Sequence, residues 1–332
     1  MLFHPAVIAI LLASGLGVLM LLVASPFALQ VIRRWDTGSG SELQLVLERR
    51  TYLFSTLLAF VFASQLLGLL LFVFNADAMA VMFVGAMCAV GTLNVNAWGF
   101  PALLAQVGLF FLAAVWLALN HLDNQARDYP LVRLKYGLFL ALGPLLAISF
   151  GLQLAYFLGL RADVITSCCG SLFSGEAKGL SGDLSALPPG PALWGFYATL
   201  GLAVAAAAHS WLRRRAGALL ALVSAAAFAA AIAGILAFLS VYIYEHPHHH
   251  CPFCILKPEY DHQGYALYLP LFLATAAGLS AGAVQVCGRR SSLRELAPAF
   301  TARLAGIAGL GYLVFALVAS AMIWRSNLLL LE

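Results

Sequence analysis

Residues 244–254, YEHPHHHCPFC, place four histidines and two cysteines in one short stretch of the chain. Thiolates and imidazoles act as nucleophiles, proton carriers and ligands for soft or borderline metal ions. Cys251 and Cys254 form a CxxC pair, whose two thiols can close a small disulfide ring or chelate one ion. His250 directly precedes Cys251, and a protonated imidazole there would favour the reactive thiolate. This stretch is the strongest candidate for a chemical site.

A second thiol pair, Cys168 and Cys169, lies in the stretch TSCCGSLF. Adjacent cysteines bond to each other only with strain, so we expect this pair to exchange with other thiols or to coordinate metal. A purely stabilising disulfide is the weaker interpretation of the CxxC pair, because closing a two-residue gap removes little chain entropy.

The rest of the chain must position these groups, and it is strongly apolar. Of its 332 residues, 63% are hydrophobic and 10% are charged, whereas soluble domains are about half apolar and a quarter charged. Apolar runs that could cross a bilayer, which takes about 20 helical residues, lie at 5–32, 51–75, 101–120, 136–160, 191–211, 216–244, 263–286 and 304–325. These runs do not alternate apolar and polar residues as barrel strands do. We predict an all-α polytopic membrane helix bundle, with about eight transmembrane helices in one integral membrane domain over residues 1–332.

A weaker apolar segment at 78–93 is followed by GTLNVNAWGFP. Its asparagines, glycines and proline are poorly tolerated in lipid but suit a segment that is buried in protein. We therefore predict one re-entrant or partly buried segment near 78–100. The alternative is that this segment also crosses the bilayer, which gives nine spans.

The basic residues predict the orientation of the chain, because Lys and Arg are retained on the cytoplasmic side. Four groups mark that side: Arg33, Arg34, Arg49 and Arg50; Arg127, Arg133 and Lys135; Arg213, Arg214 and Arg215; and Arg289, Arg290, Arg294 and Arg303. The loops 161–190 and 245–262, which carry both cysteine pairs, then face outward together with both termini. We expect a bacterial inner membrane with these loops in the oxidising periplasm.

The stretch CPFCILK resembles the CxxC site of the DsbB family of membrane disulfide-generating enzymes, and less closely that of the vitamin K epoxide reductase family. The resemblance covers these seven residues. It implies that Cys251 and Cys254 lie beside a bound quinone and that Cys168 and Cys169 relay the disulfide to a soluble, thioredoxin-like periplasmic protein.

This chain departs from the DsbB pattern after the second cysteine. It has Pro258 where that pattern has an arginine, and Lys257 is a shifted substitute. We name Lys257 as a candidate residue on the quinone side, and His262 as a proton relay for thiol or quinol chemistry. Tyr260, Tyr265 and Tyr268 are expected to be interfacial anchors.

Soft-metal binding is the competing interpretation, since imidazole and thiolate suit Cu(I) and Zn. The candidate ligands are His246, His248, His249, His250, Cys251, Cys254, Met79, Met82, Met87 and Cys88. Consecutive histidines cannot all point at one ion, so two of them would join the two thiolates. At helical spacing the methionines would line one side of the segment as a thioether track for Cu(I); flexible core filling is the alternative.

Our first hypothesis is thus a quinone-coupled thiol/disulfide oxidoreductase, with Cys251, Cys254, Cys168, Cys169 and His250 as catalytic residues. The alternatives are copper delivery or transport, with a metal-chaperone protein as partner, and a non-catalytic subunit that binds other membrane subunits. No familiar nucleotide-binding motif occurs, and a net charge of +4 gives no reason to invoke nucleic acid. His121 and His209 fall on the same predicted side, which argues against haem.

Overall fold

The computed structural model describes residues 2–36, 38–126, 128–166, 173, 179–328 and 330, and over these residues it contains helices and no strand. The helices are α1 Pro5–Arg34, α2 Glu42–Ala78, α3 Ala89–Leu93, α4 Gly99–Gln125, α5 Val132–Leu158, α6 Leu180–Ser185, α7 Pro189–Arg213, α8 Gly217–Gly234, α9 Ser240–Tyr244, α10 Gln263–Cys287 and α11 Leu296–Arg325. A π-helical turn, Ile235–Leu239, joins α8 to α9, so that Gly217–Tyr244 is one continuous helix. Short 3-10 turns lie at Met79–Met82, Cys254–Leu256, Pro258–Tyr260 and Ser291–Leu293.

Eight of the helices in the described chain are long and apolar enough to cross a bilayer. They coincide with the eight apolar runs, although the second, Glu42–Met82, begins nine residues before the predicted start at 51. The extra turns carry Glu42, Glu48, Arg49 and Arg50, which hydropathy alone does not assign to a span. The prediction of a polytopic helical membrane protein is confirmed.

The segment near 78–100 forms no ninth span. After Ala78 the chain makes the 3-10 turn Met79–Met82, an irregular stretch, and then the five residues of α3. Every residue of α3 is buried. The sequence predicted such burial in protein, because asparagines and glycines in this segment are poorly tolerated in lipid.

The chain divides into two compact units. The first unit comprises Met1–Asn75, Asn96–Leu160 and Ala283–Phe300, in which α5 packs against both α1 and α4. Its core is aromatic: Phe27 stacks on Phe54 and meets the edge of Tyr136, and Phe62 packs on Trp116.

The second unit comprises Ala76–Val95, Arg161–Gly282 and Thr301–Glu332. Small residues let its helices α8 and α10 approach closely, as is common between helices in membranes. A methyl group on Gly278 would lie 2.0 Å from the Ser224 hydroxyl oxygen, so only glycine fits there. This unit contains both segments that carry the candidate site.

Candidate three-cysteine site

Three cysteines meet inside the second unit. The sulfur atoms of Cys88, Cys251 and Cys254 all lie within 4.8 Å of one another, and all three residues are buried. Cys88 Sγ is 3.6 Å from Cys251 Sγ, well beyond the ~2.05 Å of a disulfide bond. Two segments separated by more than 150 residues of sequence thus bring three soft nucleophiles to one buried point.

Cys88 is positioned by hydrogen bonds to the chain before and after it. The backbone N–H of Ala89 donates to Asp77 Oδ1 at 3.1 Å, which ties the start of α3 back to the end of α2. Thr166 donates its N–H to the Val84 carbonyl at 2.9 Å and its hydroxyl to the Gly91 carbonyl at 2.9 Å. These contacts fix the backbone before and after the thiol.

Gly85 makes the close approach of Thr166 feasible. Its φ of +83° is a conformation that favours glycine, and a Cβ atom there would lie 2.1 Å from the Thr166 carbonyl oxygen. The glycine in the sequence VGAMC therefore lets the irregular stretch turn and present Cys88.

The CxxC loop is held by two tyrosine hydroxyls. Tyr244, in the last turn of α9, donates to the Cys251 carbonyl at 2.6 Å, and Tyr268 of α10 donates to the Pro252 carbonyl at 2.7 Å. Cys254 then begins the 3-10 turn, in which Lys257 donates its N–H to the Cys254 carbonyl at 3.1 Å. The loop backbone is thereby fastened to the helices that precede and follow it.

His250 is bound to the π-helical turn. Its Nδ1–H donates to the Leu236 carbonyl at 2.7 Å, so Nδ1 carries a hydrogen and Nε2 is the remaining ring nitrogen. A π-helical turn frees backbone groups from the regular ladder and is often found at functional sites. His250, the residue directly before Cys251, is therefore hydrogen-bonded to helix Gly217–Tyr244.

The structure brings no histidine of the described loop into the sulfur group. His246 and His248 are exposed, and His246 Nδ1 accepts the backbone N–H of His248 at 3.3 Å. His249 stacks on Tyr244 with ring centroids 4.0 Å apart. In the described part of the chain, the group of close metal-ligand atoms consists of the three sulfurs alone.

The methionines do not form a single helical track. Met79 is buried, whereas Met82 is 42% and Met87 69% exposed. The reason is that the helix ends: the 3-10 turn stops at Met82, and Met87 follows in irregular chain. The thioether track thus loses the helical spacing on which its prediction depended.

The two residues predicted for the quinone side lie at the exit of the loop. Lys257 is half-buried, and it attracts the Asp77 carboxylate electrostatically while Glu259 repels it. His262 is exposed, and its Nδ1–H donates to the Leu256 carbonyl at 2.7 Å. Neither residue belongs to the sulfur group.

Cys168 and Cys169 lie outside the described residues. Thr166, the last described residue before them, contacts the segment that carries Cys88.

Several positioning residues escaped the sequence analysis, namely Asp77, Gly85, Thr166, Tyr244 and Tyr268. Tyr268 was expected to be an interfacial anchor, yet its hydroxyl holds the CxxC backbone. The only sequence signal for this role is the tyrosine's place near the start of the helix after the loop.

No protein-family model, no curated protein and no solved structure matches this chain. The case for a function therefore depends on the geometry and chemistry of the three-cysteine site.

Proposed function

We propose that this protein is a thiol/disulfide oxidoreductase of a bacterial inner membrane, which passes electrons from periplasmic thiols to a quinone. The observation that carries this proposal is the CxxC pair with a third thiol, Cys88, 3.6 Å from Cys251. Thiol–disulfide exchange requires a thiolate within reach of a disulfide sulfur, and this arrangement supplies such a neighbour.

The cycle balances with the groups named. A partner dithiol gives two electrons and two protons, through the second thiol pair Cys168 and Cys169, to the Cys251–Cys254 disulfide, which becomes two thiols, and the partner is itself oxidised to a disulfide. The Cys251–Cys254 pair then gives two electrons and two protons to the quinone, which becomes a quinol, and the disulfide forms again. Within the oxidised site, a Cys88 thiolate can attack Cys251, which forms a Cys88–Cys251 bond and releases Cys254 as a thiolate.

The burial of the CxxC pair supports a relay. Cys251 is 0% and Cys254 is 4% exposed, so a soluble partner cannot reach either sulfur directly. A second pair must then exchange with the partner, and Cys168 and Cys169 are the candidates. Thr166, the last described residue before Cys168 in the sequence, is hydrogen-bonded to the segment that carries Cys88, which favours exchange between the two pairs.

The proposed orientation follows from the basic residues, which favour a cytoplasmic position. The loops 161–190 and 245–262 then lie in the periplasm, where a thioredoxin-like protein is the expected partner. Lys257 and His262 remain the candidate residues on the quinone side.

The test is chemical trapping in the full-length protein in purified membranes. In Cys254→Ser, the sulfur of Cys251 should stay in a mixed disulfide with Cys168 or Cys169. Mass spectrometry should detect this disulfide-linked pair of peptides. Cys251→Ser should lower the rate of reduction of an added water-soluble quinone by more than about 100-fold, because the attacking sulfur is lost.

Cys287→Ser is the matched control, because this cysteine lies at the end of α10 and outside the sulfur group. It should retain the wild-type rate. Equal rates in Cys251→Ser and in the wild type would reject the oxidoreductase proposal.

A further inference from the structure

The spacing of the three sulfurs is that of a metal-ligand set. Around an ion with metal–sulfur bonds of about 2.3 Å, neighbouring sulfurs are about 3.8 Å apart in a tetrahedral site and about 4.0 Å apart in a trigonal one. The observed Cys88–Cys251 distance is 3.6 Å, and all separations are within 4.8 Å. Small side-chain rotations are enough to place an ion between the three atoms.

The chemistry of the group selects the class of ion. Thiolates are soft ligands that prefer Cu(I), Zn or iron–sulfur clusters. A structural zinc site has four ligands, drawn from cysteine sulfurs alone or from cysteine sulfurs and histidine nitrogens. Among the described residues, no histidine nitrogen or carboxylate oxygen joins the three sulfurs. Three thiolate sulfurs at this spacing match the all-sulfur, three-coordinate environment that a soft Cu(I) ion accepts.

The neighbouring histidines lie outside this group of sulfurs. The ring of His250 is bound to the Leu236 carbonyl, and His249 is stacked on Tyr244. His246 and His248 are exposed and contact each other. The third ligand therefore comes from the distant segment of Cys88 and not from the dense histidine sequence next to the CxxC pair.

We propose that Cys88, Cys251 and Cys254 bind one Cu(I) ion in the reduced protein. This proposal goes beyond electron transfer. It rests on the proposed function only because the ion binds when Cys251 and Cys254 are reduced. Metal binding releases the thiol protons to solvent, and the single positive charge of Cu(I) offsets one of the three thiolate charges. A Cys251–Cys254 disulfide removes two of the three ligands, so the oxidised protein does not bind the ion.

The test is a Cu(I) titration of the full-length, detergent-solubilised protein under anaerobic, reducing conditions and without quinone, in competition with a chromogenic Cu(I) chelator. Wild type should withhold one Cu(I) per chain from the chelator. Cys88→Ser should weaken binding by more than about 100-fold, because outer contacts to a metal ligand alone change affinity by about 10- to 100-fold.

Two controls separate this site from other thiols. Cys287→Ser, and the double variant Cys168→Ser/Cys169→Ser, should both bind Cu(I) as the wild type does. Loss of binding in the double variant, or unchanged binding in Cys88→Ser, would overturn the assignment of the three ligands.

X-ray absorption at the copper edge provides a test that does not depend on how a variant folds. In wild type it should show sulfur neighbours only, at about 2.3 Å, and a nitrogen neighbour would overturn the proposal. Protein that reduces quinone but binds no Cu(I) would reject this inference alone. Protein that binds Cu(I) but passes no electrons would reject the proposed function alone.

Discussion

Each unit of the chain buries a cluster of polar or reactive side chains, and the two clusters differ in the chemistry of their members. In the first unit, Lys135 Nζ lies 2.8 Å from Asp123 Oδ2, and both side chains are fully buried. Lys135 also donates to Asn120 Oδ1 at 3.1 Å, and Asp123 Oδ1 accepts the Leu131 N–H at 2.6 Å. The two opposite charges, the Asn120 side chain and the Leu131 backbone together satisfy the buried polar groups of this cluster.

The three-cysteine site of the second unit collects groups of one kind. Thiols are weak donors and weak acceptors, so three of them do not neutralise one another as a carboxylate and an ammonium do. Their proximity becomes useful when an oxidant links two of them or a soft ion binds all three. The ion pair stabilises its own members, whereas the proximity of three thiols is the feature on which both proposals depend.

The largest effect on stability is expected where the ion pair is broken. Lys135→Met leaves the Asp123 carboxylate buried without its cation and should lower the free energy of unfolding by about 3–5 kcal/mol. Unfolding of the detergent-solubilised protein, followed by its tryptophan fluorescence, measures this loss.

The double variant Asp123→Asn/Lys135→Met is the control for the charge. Asparagine retains an oxygen that can accept the Leu131 N–H, so most of the stability should return. A double variant as unstable as the single one would contradict the role of the ion pair. The folded fraction of either variant should still bind Cu(I), because the ion pair belongs to the other unit.

A smaller loss of stability but a larger chemical effect is expected at Gly85. Gly85→Ala forces an L residue into a left-handed conformation, which costs about 1–3 kcal/mol, and places its methyl against the Thr166 carbonyl. Displacing Cys88 should weaken Cu(I) binding by at least about tenfold although all cysteines remain.

Gly195→Ala is the matched control, because Gly195 lies in α7 of the same unit and a Cβ atom there meets nothing within 4 Å. It should leave Cu(I) affinity unchanged. Wild-type affinity in Gly85→Ala as well would show that the turn does not position the thiol.

The smallest effect is expected for the hydroxyl that holds the loop. Tyr268→Phe removes the hydrogen bond to the Pro252 carbonyl, which contributes about 1 kcal/mol. If this bond holds the loop in its binding geometry, Cu(I) should dissociate about fivefold faster. Stopped-flow transfer of the ion to a chelator measures the rate.

Tyr197→Phe tests whether any lost tyrosine hydroxyl has this effect. Tyr197 shares a hydrogen bond with Ser320 at 2.8 Å in the same unit, away from the loop. Its removal should lower stability to a similar extent and leave the dissociation rate unchanged. Equal rates in the two variants would assign Tyr268 a structural role only.

The sequence predicted the spans well because the length of an apolar run is a local property, and the thickness of the bilayer sets the length that a spanning helix needs. It also predicted that residues near 78–100 would not cross, since asparagine, glycine and proline are costly in lipid. The soft-metal interpretation did place Cys88 in one ligand set with Cys251 and Cys254, but among ten candidate ligands and without singling it out as the residue that meets the CxxC pair. Cys88 is more than 150 residues from Cys251, and no local pattern marks their contact.

The close spacing of the histidines in the sequence also led us to expect them among the metal ligands. Four imidazoles beside two thiols predicted a mixed ligand set, but the π-helical turn, the Tyr244 ring and solvent take up their side chains. Neighbours along the chain point in different directions, so proximity in sequence does not ensure convergence on one atom.

The amino-acid sequence by itself determined that this chain is a membrane protein of eight apolar helices with an interrupted segment after the second, because each of these depends on the transfer of a short run of side chains between water and lipid. Only the tertiary structure decided that Cys88, Cys251 and Cys254 share one buried point. That contact depends on Asp77 and Thr166 holding one segment and on Tyr244 and Tyr268 holding the other, and such long-range contacts are specified by packing rather than by local composition.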